Sequence, residues 1–311
     1  MDDKDNTNQN QDTMHYEDDF SISDLIEILK KAKSVILYTT FSFFMVSSIY
    51  IFLQPNQFAS SSLLSVVDDT EAGGSGFQDI ASRYGGLASL AGVAISNDSS
   101  TKSDLVIATL QSRDFFEHLS NIPEIYPSLV ASKTYDSDSK ILTFDEKIYN
   151  TEKLVWVNGK PSILEAHLNF LNNMTVSKDK RTGFIYIAYQ HISPEFAFKM
   201  ARTIISEVNN VVRQQHLAEA KKSISYLNNA LKNTAEIATK SSITTLLDAQ
   251  LKVQMIANVR QDYLVRAIDE PFLPEWKAGP LRLKFIFLST IAGLLISAFF
   301  AMYLHYFRAS K

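Results

Sequence analysis

The chain has 311 residues, 30 of them basic and 34 acidic, and no cysteine. The missing thiols exclude a disulfide framework and any thiolate metal site. Four basic and nine acidic residues precede residue 54 and two basic ones follow 284, leaving 24 basic against 25 acidic between, a balance that gives nucleic acid no electrostatic footprint.

Residues 1–33 read as a cytoplasmic tail. Its opening, MDDKDNTNQNQD, cannot bury apolar surface and is expected to be disordered. Ser21–Lys31 (SISDLIEILKK) predicts a short amphipathic helix with Leu25, Ile28 and Leu29 on one face. Residues 34–53 (SVILYTTFSFFMVSSIYIFL) contain no Asp, Glu, Lys or Arg. Twenty residues at ~1.5 Å each span about the ~30 Å hydrocarbon core of a bilayer, where a charge costs several kcal/mol. A first transmembrane helix is predicted. The competing reading is a cleaved secretory signal, but the run is long for one and Gln54-Pro55-Asn56-Gln57 offers no A-x-A-like site. Lys30, Lys31 and Lys33 precede the run and no basic residue follows until Arg83, which puts the N-terminus in the cytoplasm.

Residues 54–193 predict an α/β base. Gln57–Val67 reads as a strand after a Pro55-Asn56 turn. Residues 71–98 hold six of the ten glycines but no Gly-Lys-Ser/Thr, so a loop with a short helix near Asp79–Ala91 is expected rather than a phosphate-binding P-loop. Asp104–Leu119 predicts one amphipathic helix, stopped by Pro123 and Pro127. Asn158-Gly159 suits a tight turn and suggests a small hairpin over 156–161. Met174–Ser177 and Phe184–Tyr189 predict two strands joined by the polar turn Lys178–Gly183.

Residues 194–260 predict a long helical arm with a return helix. From Glu195 to Glu270 there is neither Pro nor Gly, and Ser193-Pro194 makes a helix start. Leu217, Ala220, Ile224, Leu227, Leu231, Thr234 and Ala238 recur at three- and four-residue steps, one narrow stripe. Unbroken to about Lys240, the helix would reach ~70 Å. The reversal is expected at Thr239–Thr245 (TKSSITT), with Leu246, Ala249, Val253 and Ile256 returning antiparallel. A narrow stripe needs a partner, either this return segment or a neighbouring subunit, so Leu217, Ile224, Leu227 and Leu231 are the expected arm-packing residues.

Residues 261–284 predict a returning strand, with period two over Gln261–Ile268, and then a stiff link made by Pro271, Pro274 and Pro280. Residues 285–307 (FIFLSTIAGLLISAFFAMYLHYF) are a second uncharged run and predict a second transmembrane helix, with 308–311 as a cytoplasmic end. Lys277, Arg282 and Lys284 on its outer flank favour the opposite orientation, which the first span overrides. His305 is expected at the membrane interface. Ser289, Gly293, Ser297 and Ala301 recur every four residues, a spacing that lets membrane helices approach closely. The whole reads as α+β: a membrane-proximal α/β base with a long protruding helical arm, flanked by two transmembrane helices.

The order of these segments resembles the Wzz-type chain-length determinants, the polysaccharide co-polymerase family of bacterial inner membranes. The likeness is carried by Asp24-Leu25-Ile26-Glu27-Ile28-Leu29 before the first span, by Gly85-Gly86-Leu87-Ala88-Ser89-Leu90-Ala91-Gly92, and by Ile107-Ala108-Thr109-Leu110-Gln111-Ser112-Arg113. Met174 to Gly183, followed by a strand, His191, Ser193-Pro194 and the long helix, is the most specific part, and Pro271, Pro274 and Pro280 complete it. At 275–278 (EWKA) relatives often carry a further proline. The resemblance implies a scaffold rather than an enzyme, with no catalytic residue, cofactor or metal. It implies a homo-oligomeric ring in the inner membrane that works with a Wzy-type polymerase on an undecaprenyl-linked glycan to set O-antigen length. Some larger relatives carry a tyrosine kinase; with four residues after Phe307 and no Walker motif, none is expected here.

Other classes compete. A glycosidase needs two carboxylates about 5–10 Å apart across a sugar, and Asp145/Glu146 and Asp68/Asp69 are neighbours in polar segments. His118, His167, His191 and His216 lack any metal-ligand spacing. A membrane-tethered sensor would need an output domain. A capsule or exopolysaccharide export co-polymerase, or a periplasmic adaptor, stays open.

Overall fold

The computed structural model describes residues 30, 32–67 and 99–309, with side chains in the last stretch described from 102 to 303. The expected helix at 21–31, the Gly-rich segment 71–98 with its short helix, Asp68 and Asp69 lie outside the described residues, as does the His305 side chain. The chain divides into two compact units, one holding the described residues up to Gln54 with those from Leu281 onward, the other Pro55–Pro280.

The first element is helix α1 (Lys33–Leu53), 21 residues and ~31 Å long. Strand β1 (Gln57–Val66) follows. Helix α2 (Ser99–Gln111) and helix α3 (Arg113–Ser120) stand where one helix was expected. The break is Ser112, whose hydroxyl donates to Thr109 O at 2.8 Å and accepts from Phe115 N at 3.2 Å, so one side chain closes one helix and opens the next. Pro127 does not act as a stop. It lies in the first turn of the short helix α4 (Ile125–Val130), where a missing N–H costs nothing.

Strands β2 (Ser132–Asp136) and β3 (Ile141–Phe144) pair as a hairpin. The next hairpin joins β4 (Tyr149–Asn150) to β5 (Val155–Trp156), so it lies before the expected Asn158-Gly159 turn rather than around it. Asn150 Oδ1 accepts from Lys153 N at 2.8 Å and sets that earlier turn. Gly159, at φ +86, instead leads the chain into helix α5 (Ile163–Asn173), capped by Ser162.

Strands β6 (Met174–Lys178) and β7 (Ile185–His191) flank the turn that Asp179 organises, its Oδ1 accepting from Arg181 N at 2.7 Å and Thr182 N at 3.2 Å. Helix α6 (Pro194–Asn233) runs for 40 residues, ~60 Å. Helix α7 (Ile237–Val259) follows. The reversal therefore falls at 234–236, upstream of the expected TKSSITT segment. In that segment Ser242, Thr244 and Thr245 donate to the carbonyls of Ala238, Lys240 and Ser241, so their hydroxyls are satisfied inside a helix instead of breaking it. Thr234 is extended, at ψ 128, and its hydroxyl donates to Ala230 O at 2.7 Å to close α6.

Strand β8 (Val265–Asp269) is shorter than the expected 261–268 and shifted toward the C-terminus. Strand β9 (Lys277–Gly279) ends the proline-containing stretch, and helix α8 (Arg282–Ala309) closes the chain.

The main sheet is antiparallel, ordered β6-β7-β1-β8, with β9 also on β1. The pairs Ser60↔Tyr189, Ser62↔Ile187 and Leu64↔Ile185 share one face. Leu64, Ile185, Ile187, Tyr189 and Val265 there are fully buried with Phe115, Phe116 and Leu119 of α3, Phe170 of α5, and Met200 and Ile204 of α6. This core anchors the first half of α6. Beyond Val212, Ala220 is the one further residue of α6 that is buried.

Candidate functional site

Among the described residues the features that bear on function are packing surfaces. Among the described residues no three His, Asp or Glu side chains gather as a metal site. Each of the four histidines in Pro55–Pro280 instead ties two segments together. His118 Nε2 meets Glu207 Oε2 at 2.7 Å, and His216 Nδ1 meets Tyr263 Oη at 2.7 Å. His167 Nε2 reaches Gln111 O at 3.1 Å. Asp145 Oδ1 accepts from Lys147 N at 3.0 Å, an ordinary turn contact.

His191 sets the root of the long helix. Its Nδ1 accepts from Ser193 N at 3.1 Å, so Nε2 carries the proton and donates to Ser128 O at 3.1 Å. Burial lowers its pKa to about 4. Ser193 Oγ caps α6 by accepting from Phe196 N at 3.1 Å and also donates to Glu195 Oε2. Tyr135 donates to Glu195 Oε1 at 2.9 Å; burial, then this bond, pushes the phenol up to about 12. The helix is thus aimed by a set of fixed, uncharged or paired groups at its first turn.

Asn209 holds the return of the chain. Its Oδ1 accepts from Leu264 N at 2.7 Å and Val265 N at 2.9 Å, and its Nδ2 donates to Val265 O at 2.9 Å and Ile205 O at 3.1 Å. The amide is buried and all its capacity is used. Sequence reasoning missed it. The only signal was Asn209-Asn210 interrupting an apolar face between Val208 and Val211.

Leu217, Ile224, Leu227 and Leu231 are half-buried, and Ala220 is buried, along the distal half of α6. Helix α7 runs back along this half, bringing Leu246, Ala249, Val253 and Ile256, all half-buried, to it. The stripe is therefore met by its own return helix. Ala238 lies apart from it, exposed in the first turn of α7. On the other side of the hairpin Tyr226, Met255 and Val259 stand open to solvent.

Proline-containing residues 270–276 do not hang free. Ser62 Oγ donates to Asp269 O at 2.5 Å and Ser60 Oγ to Phe272 O at 2.8 Å, after which β9 rejoins β1 at Phe58↔Lys277 and Gln57↔Gly279. Serine hydroxyls thus stand in for ladder bonds where Pro271 and Pro274 interrupt pairing. Pro274 is buried, whereas Pro271 and Pro280 are half-buried.

In the other unit α1 and α8 pack antiparallel. Ser289 is half-buried, and Gly293, Ser297 and Ala301 are buried. A Cβ on Gly293 would stand 2.7 Å from Phe43 Cβ, and Thr40 and Ser297 hydroxyls meet at 3.2 Å. Tyr50 packs on Phe285 with ring centroids 6.0 Å apart. Facing outward, Leu37, Phe52 and Leu53 of α1 and Phe287, Leu288 and Phe299 of α8 are between 64% and 79% exposed. A helix in a soluble core hides such residues; these two helices present them, as helices in lipid do.

No family model and no curated protein matches the chain. Solved structures similar to it include two polysaccharide co-polymerases. One is described as a full-length bacterial polysaccharide co-polymerase, 12% identical over 93% of this chain and 99% of that one, with a TM-score of 0.38. The other is a fragment of WzzB, a polysaccharide co-polymerase from Salmonella Typhimurium, 13% identical over 72% of this chain and 100% of that one, with a TM-score of 0.36. Both descriptions name the polysaccharide co-polymerases, which the sequence resembles.

Proposed function

We propose that this chain is an inner-membrane polysaccharide co-polymerase, a non-catalytic homo-oligomeric scaffold that sets O-antigen chain length together with a Wzy-type polymerase acting on an undecaprenyl-linked glycan. The observation that carries the reading is the arrangement of elements. Along the chain, two apolar helices with lipid-type outer faces flank a unit whose sheet roots a 40-residue helix and its return. In this reading α1 and α8 cross the bilayer, both termini are cytoplasmic, and Pro55–Pro280 is periplasmic. The lysines at 30, 31 and 33 set that orientation. Subunits pack through their sheet-bearing bases and hairpins, and the spans with the link around Pro271, Pro274 and Pro280 engage the polymerase.

The deciding experiment is deletion of the gene followed by lipopolysaccharide electrophoresis. Polymer should persist with a broadened or shifted ladder, restored by the wild-type gene. Complete loss of polymer would mean an essential enzyme, and an altered capsule with an unaltered ladder would mean the export role.

A further inference from the structure

Phe272, Leu273 and Trp276 stand in water within five residues of one another, and Trp276 is 84% exposed. Their backbone is nevertheless held firmly. Ser60 bonds the Phe272 carbonyl, Pro274 is buried between them, and Lys277 begins the pairing with β1. A rigid segment that displays three large apolar side chains has something to insert them into.

Chain length says what lies near. Trp276 precedes the first residue of α8, Arg282, by six residues, and Phe58, which pairs with Lys277, follows Leu53 of α1 by five. Even fully extended, the first connection keeps Trp276 within about 21 Å of the start of α8, and the second, with the cross-strand step added, within about 27 Å of the end of α1. Nearby Asp269, Glu270 and Glu275 oppose Lys277, so the segment carries no positive excess and is suited to zwitterionic rather than anionic headgroups. Tryptophan, with an apolar body and an N–H at its tip, is the side chain that collects at the headgroup–acyl boundary.

We propose that residues 270–276 form a membrane-interface anchor, in which Phe272, Leu273 and Trp276 insert into the lipid boundary on the side occupied by Pro55–Pro280. This rests on the two-pass reading above. The anchor would hold the β8–β9 edge of the sheet, which residues 270–276 connect, to the lipid surface.

The chain contains two tryptophans, Trp156 and Trp276, so Trp156→Phe leaves Trp276 as the single reporter. The full chain is reconstituted in phosphatidylcholine vesicles with or without acyl chains brominated near the headgroup. Trp276 emission should fall roughly twofold or more with the brominated lipid and resist aqueous iodide. Quenching by iodide but not by bromine would leave the residue in water and overturn the proposal. Protection from both quenchers would put it against protein, such as a second copy of the chain, and would overturn it equally. Because Trp156 packs on Tyr149 at 4.9 Å, the difference signal between wild type and Trp276→Phe serves if the first variant does not fold. Phe299→Trp, made without the other two tryptophans, separates the premises. Its quenching by lipid brominated deep in the chain keeps the spans in the bilayer whatever Trp276 does, and its failure would remove the two-pass reading and the anchor together.

Discussion

Asn209 on α6 satisfies both backbone polar groups of Val265 on β8, accepting from its N–H and donating to its carbonyl, each at 2.9 Å. The chain leaves the sheet-bearing core for the hairpin and is received back at this amide. Asn209→Ala would leave Leu264 N–H and both groups of Val265 without a partner in a buried place. The expected cost is about 3 kcal/mol, read as a lower midpoint in chemical unfolding of the detergent-solubilised protein. Asn209→Asp keeps both acceptors but loses donation and buries a charge, so it should be no better. Wild-type stability in either variant would show that the amide does not hold the return strand.

Gly293 admits no side chain while Phe43 is in place. Because the obstructing atom is Phe43 Cβ, close to the backbone, relief needs a helix shift. Gly293→Leu should separate α1 from α8. The chain has no cysteine, so Thr40→Cys with Ser297→Cys gives a clean disulfide assay at a site where the native oxygens are 3.2 Å apart. Cross-linking should be efficient in the native background, should fall with Gly293→Leu, and should recover with Phe43→Gly, which removes the obstructing Cβ, but not with Phe43→Ala, which keeps it.

Leu227 lies in the half-buried stripe that meets α7. Leu227→Asp should destabilise the hairpin by about 2 kcal/mol and change the modal length of the polymer. Unchanged particles and an unchanged ladder together would detach the stripe from both packing and function.

His191 makes the fold acid-sensitive in a defined window. Unfolded, it takes a proton near 6.5; buried on Phe196, with ring centroids 4.5 Å apart, it resists to about 4. Between those values the unfolded chain binds the extra proton, so this contribution is full above 6.5 and lost as pH falls toward 4, by at most about 3 kcal/mol. His191→Gln should flatten the pH dependence of unfolding across that interval. An equally steep dependence in the variant would assign the sensitivity to other groups.

Long-range pattern was legible in the sequence and short-range competition was not. Two uncharged runs of bilayer length, an antiparallel pair at 174–191 and a helix starting at Pro194 follow from period and composition. Ser112 and TKSSITT show what is lost. One serine hydroxyl splits a helix by serving both its sides, while a run of hydroxyls that looks like a break bonds back into the helix and extends it. Spacing says that Ser289, Gly293, Ser297 and Ala301 share a face; that Phe43 and Thr40 of the same chain meet it depends on long-range geometry. Asn209 was illegible because a buried amide reads as an interruption until its four partners are known.

Gln57 pairs with Gly279, so the points where the chain enters and leaves Pro55–Pro280 are neighbours. The unit is thereby an insert with adjoining ends, the form a host chain accepts without being pried apart. It should survive excision as a water-soluble cassette, and grafting between the helices of an unrelated hairpin, with its own sheet as the clasp.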